Sequence, residues 1–489
     1  MKLRSGLFTL IALAAFGCAA PEEDEAESAE GAATSAEAKL PECASPLMQS
    51  IFEATKSTIH RGSVPAELYA TSHSKGHLTP LLRGPEIFPS MRQLIAEAKS
   101  EVDLQMFVFN MGNDPANDVL AGLSDLAARR SAEKDASGAP VLVRFIVDVT
   151  QVSGSARRAI PELARSVAAL NLPPELVQVE IATFQHFALG NLHTKTLVVD
   201  GHEAIVTGAN IQDQHNYAEP WFDTGYRFSG EVAYALRADF DQAWKKSKLF
   251  VCGATSADDP DERCYKRTTA IERTDAPAIA PSLEKVCVPM LVTTRAKDSN
   301  PFSNRTDNTQ DRAFVAAITN AQRVVRIHTP NLNDDAAKKA IVGALEKNPE
   351  LVVEIVLSKG FNESAMNLPG QGGGNESNAK KLYDELARKQ VPRFCERLRI
   401  RWYSHDGVEP VVGNGPYASH AKYASFDDHI TIVGSANMDT QAWNNSREVN
   451  VAVDSEEVTR AWDDAVFKPS FNRGIDARTC ETDPEVAAP

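Results

Sequence analysis

The sequence has no surplus of positive charge. Its 51 Lys and Arg stand against 66 Asp and Glu, a formal net charge of −15 over 489 residues. Residues 1–40 hold seven acidic and three basic side chains, so most of the acidity belongs to the chain beyond them. A protein that tracks along nucleic acid presents a basic surface to the phosphates. The charge balance argues against that class, while leaving room for a small local phosphate site. Long apolar runs are also lacking. Residues 7–16 are apolar but too few to span a bilayer as a helix, and no pair of membrane-crossing helices precedes the rest. Cysteine is scarce, with seven in all, and none has zinc-ligand spacing.

The start of the chain reads as an export signal. Lys2 and Arg4 precede the short apolar run, and Ala15-Phe16-Gly17-Cys18 is similar to a bacterial lipoprotein cleavage box. Residues 1–18 are therefore expected to be a signal peptide, with Cys18 as a lipidated first residue that holds the protein to a membrane surface. A cleaved signal without lipid is the alternative, and either route gives a cell-envelope or secreted protein. Residues 19–42 are rich in Glu, Ala and Ser and bury too little to order themselves, so they read as an acidic disordered tether. Six cysteines follow Cys18: Cys43, Cys252, Cys264, Cys287, Cys395 and Cys480. An even number in an exported chain predicts disulfides, in one of 15 pairings that sequence does not distinguish. Cys252 and Cys264 bracket a short polar loop and are expected to pair.

The chain repeats its own pattern once. Residues 91–99 read as a helix leading into a strand at 102–109, and residues 313–321 as a helix leading into a strand at 324–328. Continuous apolar strands follow at 141–147 and 351–357, as in a sheet covered on both faces. Helical stretches at 114–130 and 334–346 separate them, so the pattern predicts α/β layers. Residues 43–251 are expected to form a first domain and 311–480 a second. A cysteine-containing connector at 252–310 and a tail at 481–489 complete the chain. The glycine-rich stretch at 369–375 is expected to be a loop, either an active-site lid or a surface insertion.

Chemistry concentrates in two constellations. His193-x-Lys195-x4-Asp200 is followed by Asn210, and His420-x-Lys422-x4-Asp427 by Asn437. All four residue types recur at one displacement of 227 positions, which makes coincidence very improbable. Strands at 196–199 and 205–206 are expected to join at Asp200-Gly201, and strands at 424–426 and 430–433 around Asp427-Asp428. Residues two apart on a strand share a face, so His193 and Lys195 point one way, as do His420 and Lys422. A turn of small residues, with Gly208 in one half and Gly434 in the other, then returns Asn210 or Asn437.

This duplicated pattern resembles the signature of the phospholipase D superfamily, over most of residues 85–470. The resemblance implies two pseudo-symmetric α/β sandwich domains with one active site at their interface. Both motifs lie in one chain, so a monomer suffices. It also implies phosphodiester chemistry. One imidazole attacks phosphorus and forms a phosphohistidine, dividing one hard displacement into two easier ones. The second protonates the leaving oxygen and then deprotonates water or an alcohol. The lysines and asparagines hold the phosphoryl oxygens as charge builds. Histidine suits both tasks because its free pKa lies near neutrality. No metal or cofactor is called for. By resemblance, His193 is the nucleophile and His420 the acid–base group, with an acidic residue downstream to orient each: Asp223 for His193 and Glu448 for His420. Asp200 and Asp427 belong to the signature but are read as bracing their turns. The first turn, Thr-Gly-Ala-Asn, departs from the usual pair of glycines.

His186, His202, His215, His328, His405 and His429 follow no such pattern and are read as structural or surface residues, with His328 or His405 able to line the cleft. The basic run at 388–401 is read as a solvated helix followed by a strand. The expected activity is metal-independent hydrolysis of phospholipid headgroups. The alternatives are phosphatidyl transfer to an alcohol, as in the cardiolipin-synthase branch, an envelope or secreted endonuclease, and a non-catalytic envelope-binding module. The missing membrane helices weigh against the synthase, the acidic body against the nuclease, and the retention of every His and Lys against the module.

Overall fold

The computed structural model describes residues 38–71, 78–133, 138–149, 155–185, 190–249, 287–296 and 307–478. The export signal with Cys18, most of the tether and connector, the Cys252–Cys264 pair, Cys480, His186 and the 481–489 tail lie outside the described residues.

Two sheets carry the chain. The first is built from β1 (Glu101–Met106), β2 (Val141–Asp148), β3 (Val177–Phe184), β4 (Thr196–Val199), β5 (Glu203–Thr207) and β6 (Thr224–Ser229). The second uses β7 (Met290–Arg295), β8 (Val324–Thr329), β9 (Val352–Leu357), β10 (Leu398–Trp402), β11 (Tyr423–Phe426), β12 (Ile430–Gly434) and β13 (Glu448–Asp454). Their spatial orders contain β6-β5-β4-β1-β2-β3 and β13-β12-β11-β8-β9-β10, the same topology run twice. Three strands of each half are parallel, β1 to β3 and β8 to β10, and the remainder antiparallel. Parallel neighbours need a long crossover. The helix Asp114–Ala132 supplies it between β1 and β2, and Asp335–Lys347 between β8 and β9. Asn113 and Asp334 cap these helices by accepting amide hydrogens of the first turn.

The sheets pack face to face. Along β4, Leu197 and Val199 enter the first half's own core while Val198 faces the other way. Val198, Val206, Tyr226 and Phe228 meet Val433, Val449, Val451 and Trp462 in a shared apolar seam. Both faces of each sheet are thus covered, which explains the unbroken apolar runs in the sequence.

Two boundaries differ from the expectation. The helix α1 (Pro46–Lys56), capped by Ser45, buries Met48, Ile51 and Phe52 in the core of the second half, not the first. Part of the expected connector is β7, a full strand paired along β13, and Ala70–Thr71 pairs along β7 in turn. Left bare, β13 would present a long row of unpaired backbone groups, and these additions cover it. A disulfide from Cys43 to Cys287 ties the stretch before α1 to the stretch before β7, and Cys395 is also disulfide-bonded. No helix among the described residues is long and apolar enough to cross a membrane.

The aspartate of each motif has a local task. Asp200 and Asp427 sit in left-handed backbone, φ 52° and 55°, at the tips of the β4–β5 and β11–β12 hairpins. The Asp200 carboxylate accepts the amide hydrogens of Lys99, Ser100 and Glu101, and Asp427 those of Gln322, Arg323 and Val324. Each clamps its hairpin to the start of the central strand beside it. Asp200→Ala is expected to lower unfolding free energy by about 2–3 kcal/mol through loss of hydrogen bonds to a charged group. A shift of the urea midpoint with an unchanged slope would show this.

Candidate active site

The seam brings the two motifs together through the backbone. Leu192 bridges Arg447 and Phe222 bridges Ser419, each pair in parallel orientation. The His193 amide donates to the Arg447 carbonyl at 2.9 Å, and the Arg447 amide to Asn191 at 2.7 Å. In the other half, the His420 amide donates to the Phe222 carbonyl at 2.8 Å, and the Phe222 amide to Ala418 at 2.8 Å. The two bridges are equivalent under the repeat. Each lays the residue before one half's carboxylate against the lead-in to the other half's histidine. Arg447 also forms a buried ion pair with Asp239, on the first half's helix Glu231–Lys246.

The carboxylates are therefore exchanged. His193 Nδ1 lies 2.8 Å from Glu448 Oε1, and His420 Nδ1 donates to Asp223 Oδ2 at 2.7 Å. This corrects the expected partners, Asp223 for His193 and Glu448 for His420. Spacing along the chain favoured the partner within each half, and the pairing across the seam overrides it. With Nδ1 turned to a carboxylate, each ring keeps Nε2 for a substrate.

Lys195 and Lys422 lie just ahead of β4 and β11. Each Nζ donates to the carbonyl of its own histidine, at 2.5 and 2.6 Å. Both are buried, with 0% and 3% exposure, so neither is an ordinary surface lysine. Asn210 and Asn437 return from their turns into the same region. Both are buried and keep a side-chain oxygen with no partner among the described residues. Gly208 is required by close approach: a Cβ there would lie 2.2 Å from Asp223 Oδ1. The matching position in the second half is Ser435, whose hydroxyl donates to Glu448 Oε2 at 2.5 Å.

Aromatic rings wall the site. Phe107 meets His193 edge-on at 4.8 Å between centroids. Trp221 and Phe361 stand 5.5 and 5.6 Å from His420. Such walls exclude water and strengthen every electrostatic contact inside.

Burial depresses the charges of the site. Burial lowers Lys195 to about 7 and Lys422 to about 8, against the pull of nearby carboxylates. Burial, with the neighbouring lysine charge, also holds both imidazoles well below their ordinary value. Glu448 is pushed up to about 8 by burial, opposed by Lys195. Asp223 behaves oppositely. Burial pushes it up, but Lys422, His420 and His215 outweigh that and hold the carboxyl well below the usual range. A phosphate anion would restore charge to both lysines. Binding of inorganic phosphate is therefore expected to take up protons at about pH 8, where both lysines are partly neutral. Calorimetry in buffers of different ionisation enthalpy would measure this, and proton release would contradict it.

The remaining candidates separate clearly. Asp200 and Asp427 stand at the far ends of their hairpins, outside this cluster. His328 is buried between Phe222 and Tyr403, contacts Ser419 Oγ at 2.7 Å, and is lowered by burial to about 3, so it supports the stretch leading to His420. His405 stacks on Tyr417 at 4.1 Å. The glycine-rich loop is pinned: the Asn333 and Asn378 side chains bond its carbonyls, and Gly372 fits closely against Asn333 and Thr440. Sequence reasoning missed His215. Its ring is fully buried and its Nε2 stands 3.3 Å from Asp223 Oδ2. The second half has no histidine between Asn437 and Glu448, so the repeat could not reveal it. Among the described residues, His215, Asp223 and His420 are the group whose ligand atoms lie close enough, within 4.8 Å, to hold a cation. Their atoms already face one another across Asp223 Oδ2, which both rings contact.

Comparison with known proteins follows the same line. Residues 314–467 match the family model of the cardiolipin synthase, PLD-like domain. The probable cardiolipin synthase YwiE of Bacillus subtilis (strain 168) is 22% identical over 395 residues, 79% of this chain and 65% of that relative. The match therefore spans slightly less than two thirds of the relative's length. Phosphatidylserine synthase from Haemophilus influenzae Rd KW20 superposes with a TM-score of 0.52 at 12% identity, covering 87% of this chain and 90% of that one. That likeness concerns the fold and agrees with two duplicated α/β domains.

Proposed function

Because the chain belongs to the phospholipase D superfamily, we propose that it exchanges phospholipid phosphodiesters, passing a phosphatidyl group to an alcohol as a cardiolipin synthase would. The observation that carries this reading is the pair of histidine–carboxylate contacts built across the seam, with two buried lysines beside them. His193 Nε2 attacks phosphorus, the bond to the headgroup oxygen breaks, and His420 protonates that oxygen. An acceptor hydroxyl then gives its proton to His420 while its oxygen displaces His193 from phosphorus. Lys195, Lys422, Asn210 and Asn437 steady the charge on the phosphoryl oxygens. The family match to a cardiolipin synthase supports transfer over the hydrolysis that the sequence placed first. Walls of Phe107, Trp221 and Phe361 support it too, since they disfavour water as the acceptor. The proposed setting is a membrane surface on the exported side, reached through the signal at residues 1–18.

Full-length protein would be incubated with phosphatidylglycerol vesicles in EDTA, with plasmid DNA as a parallel substrate. Cardiolipin with free glycerol is the expected outcome. Phosphatidic acid with glycerol would return the assignment to hydrolysis. Nicked DNA with intact lipid would move it to a nuclease.

A further inference from the structure

The two halves match closely through the histidines, the lysines and the bridging backbone, but they differ behind the carboxylates. Behind Glu448 stands the Ser435 hydroxyl. The matching position behind Asp223 is Gly208, which offers no side chain, and His215 comes from another direction instead. His215 Nε2 lies 3.3 Å from Asp223 Oδ2, the oxygen that also accepts from His420 Nδ1 at 2.7 Å. The Thr224 amide donates to the other oxygen at 2.9 Å. Three groups thus converge on one carboxylate.

The His215 ring is held in place. It is fully buried against Phe88 and Trp221, at 6.4 and 5.8 Å between centroids. Its backbone is fixed as well, because a Cβ on Gly84 would lie 1.9 Å from the His215 carbonyl oxygen. His215 Nδ1 is buried with no partner among the described residues. An unbonded lone pair is cheaper to bury than an unbonded N–H, so the hydrogen belongs on Nε2, donated toward Asp223.

We propose that His215 is a positioning residue that locks Asp223 onto His420 and so commits His420 to proton transfer, leaving His193 to attack phosphorus. This rests on the phosphodiester-exchange reading above. A carboxylate held by three donors stays anionic and, with the phosphodiester anion bound beside it, favours the His420 imidazolium that burial otherwise disfavours. It also keeps the His420 Nε2–H aimed at the leaving oxygen. Glu448 lacks this set of donors, and His193 Nδ1, although 2.8 Å away, is not aligned for a hydrogen bond with it. A neutral imidazole with a free Nε2 suits the attacking role. In the first step the N–P bond forms, the P–O bond to the alcohol breaks, and the His420 proton goes to that oxygen. In the second the acceptor's proton returns to His420 as its oxygen replaces nitrogen on phosphorus.

The test compares two phosphatidyl diesters, one with glycerol and one with 4-nitrophenol as leaving group, in pre-steady-state release. Nitrophenolate leaves without a proton, so only glycerol release needs His420 in the first step. His215→Phe is expected to slow glycerol release by about 10–100-fold, as loss of an orienting partner does, and to leave the nitrophenolate burst nearly unchanged. His215→Gln, which keeps a donor in reach, should recover most of the glycerol rate. Equal slowing of both diesters, or of neither, would overturn the proposal. The His420 Nδ1–H resonance, read by 15N-edited NMR without substrate, is a second measure. It should shift in His215→Phe and return in His215→Gln, and an unchanged resonance would likewise overturn the proposal. Failure of the wild type to release either alcohol would overturn the exchange reading itself. The resonance would still show whether His215 holds Asp223 on His420.

Discussion

His193→Ala is expected to lower kcat on any phosphodiester the protein turns over by about 10⁶-fold, the loss typical of an enzyme without its nucleophile. Glu448 lies on the Nδ1 side of the ring, and Lys195, which donates to the His193 carbonyl, is assigned to the phosphoryl charge. His420→Ala should cost less, about 10²–10⁴-fold, the usual worth of general acid–base catalysis. The double variant should be little worse than His193→Ala alone, because both residues serve one covalent step. Steady-state rates at saturating substrate would measure all three. Independent, multiplying losses would mean that the two histidines do not share a site.

Asp223→Asn is expected to be nearly as damaging as loss of a catalytic group, about 10⁴-fold in kcat, by the precedent of a triad aspartate changed to its amide. Asn presents a donor where His420 Nδ1–H needs an acceptor, and the ring then holds its proton on the wrong nitrogen. Because Asp223 acts through His420, the pre-steady-state burst should be largely spared when the leaving group is 4-nitrophenol, while the later transfer to the acceptor stays slow. Glu448→Gln should show no such dependence, since Glu448 stands behind His193. Its loss should also be smaller, because burial already pushes the Glu448 carboxyl up to about 8 and the amide resembles the protonated acid. Leaving-group dependence in Glu448→Gln rather than Asp223→Asn would restore the pairing of each histidine with the carboxylate of its own half.

Much of this was legible because the repeat doubles the signal. The apolar runs at 141–147 and 351–357 became β2 and β9 almost to the residue. The turns at Asp200 and Asp427 became hairpin tips, and their role as braces followed from their position. Other features depended on contacts between distant residues. Helix Arg83–Glu97 begins well ahead of the expected residue 91, although Pro85 and Pro89 weaken its local signal. Strand β7 lay inside a polar, cysteine-containing stretch, and only the edge of β13 gives it a place. The repeat puts each carboxylate about 30 residues after the histidine of its own half, so spacing pointed to the partner within the half, and only contact across the seam reveals the exchange. His215 stood outside the repeat altogether.

The most direct test of the account is to identify the covalent intermediate. Protein would be mixed with the 4-nitrophenyl diester, quenched in alkali within the burst, digested, and examined by mass spectrometry. The account predicts a phosphodiester adduct on the peptide containing His193, accumulating further in His420→Ala, where the acceptor lacks its base. An adduct on His420, or a full nitrophenolate burst with no adduct on either histidine, would contradict it.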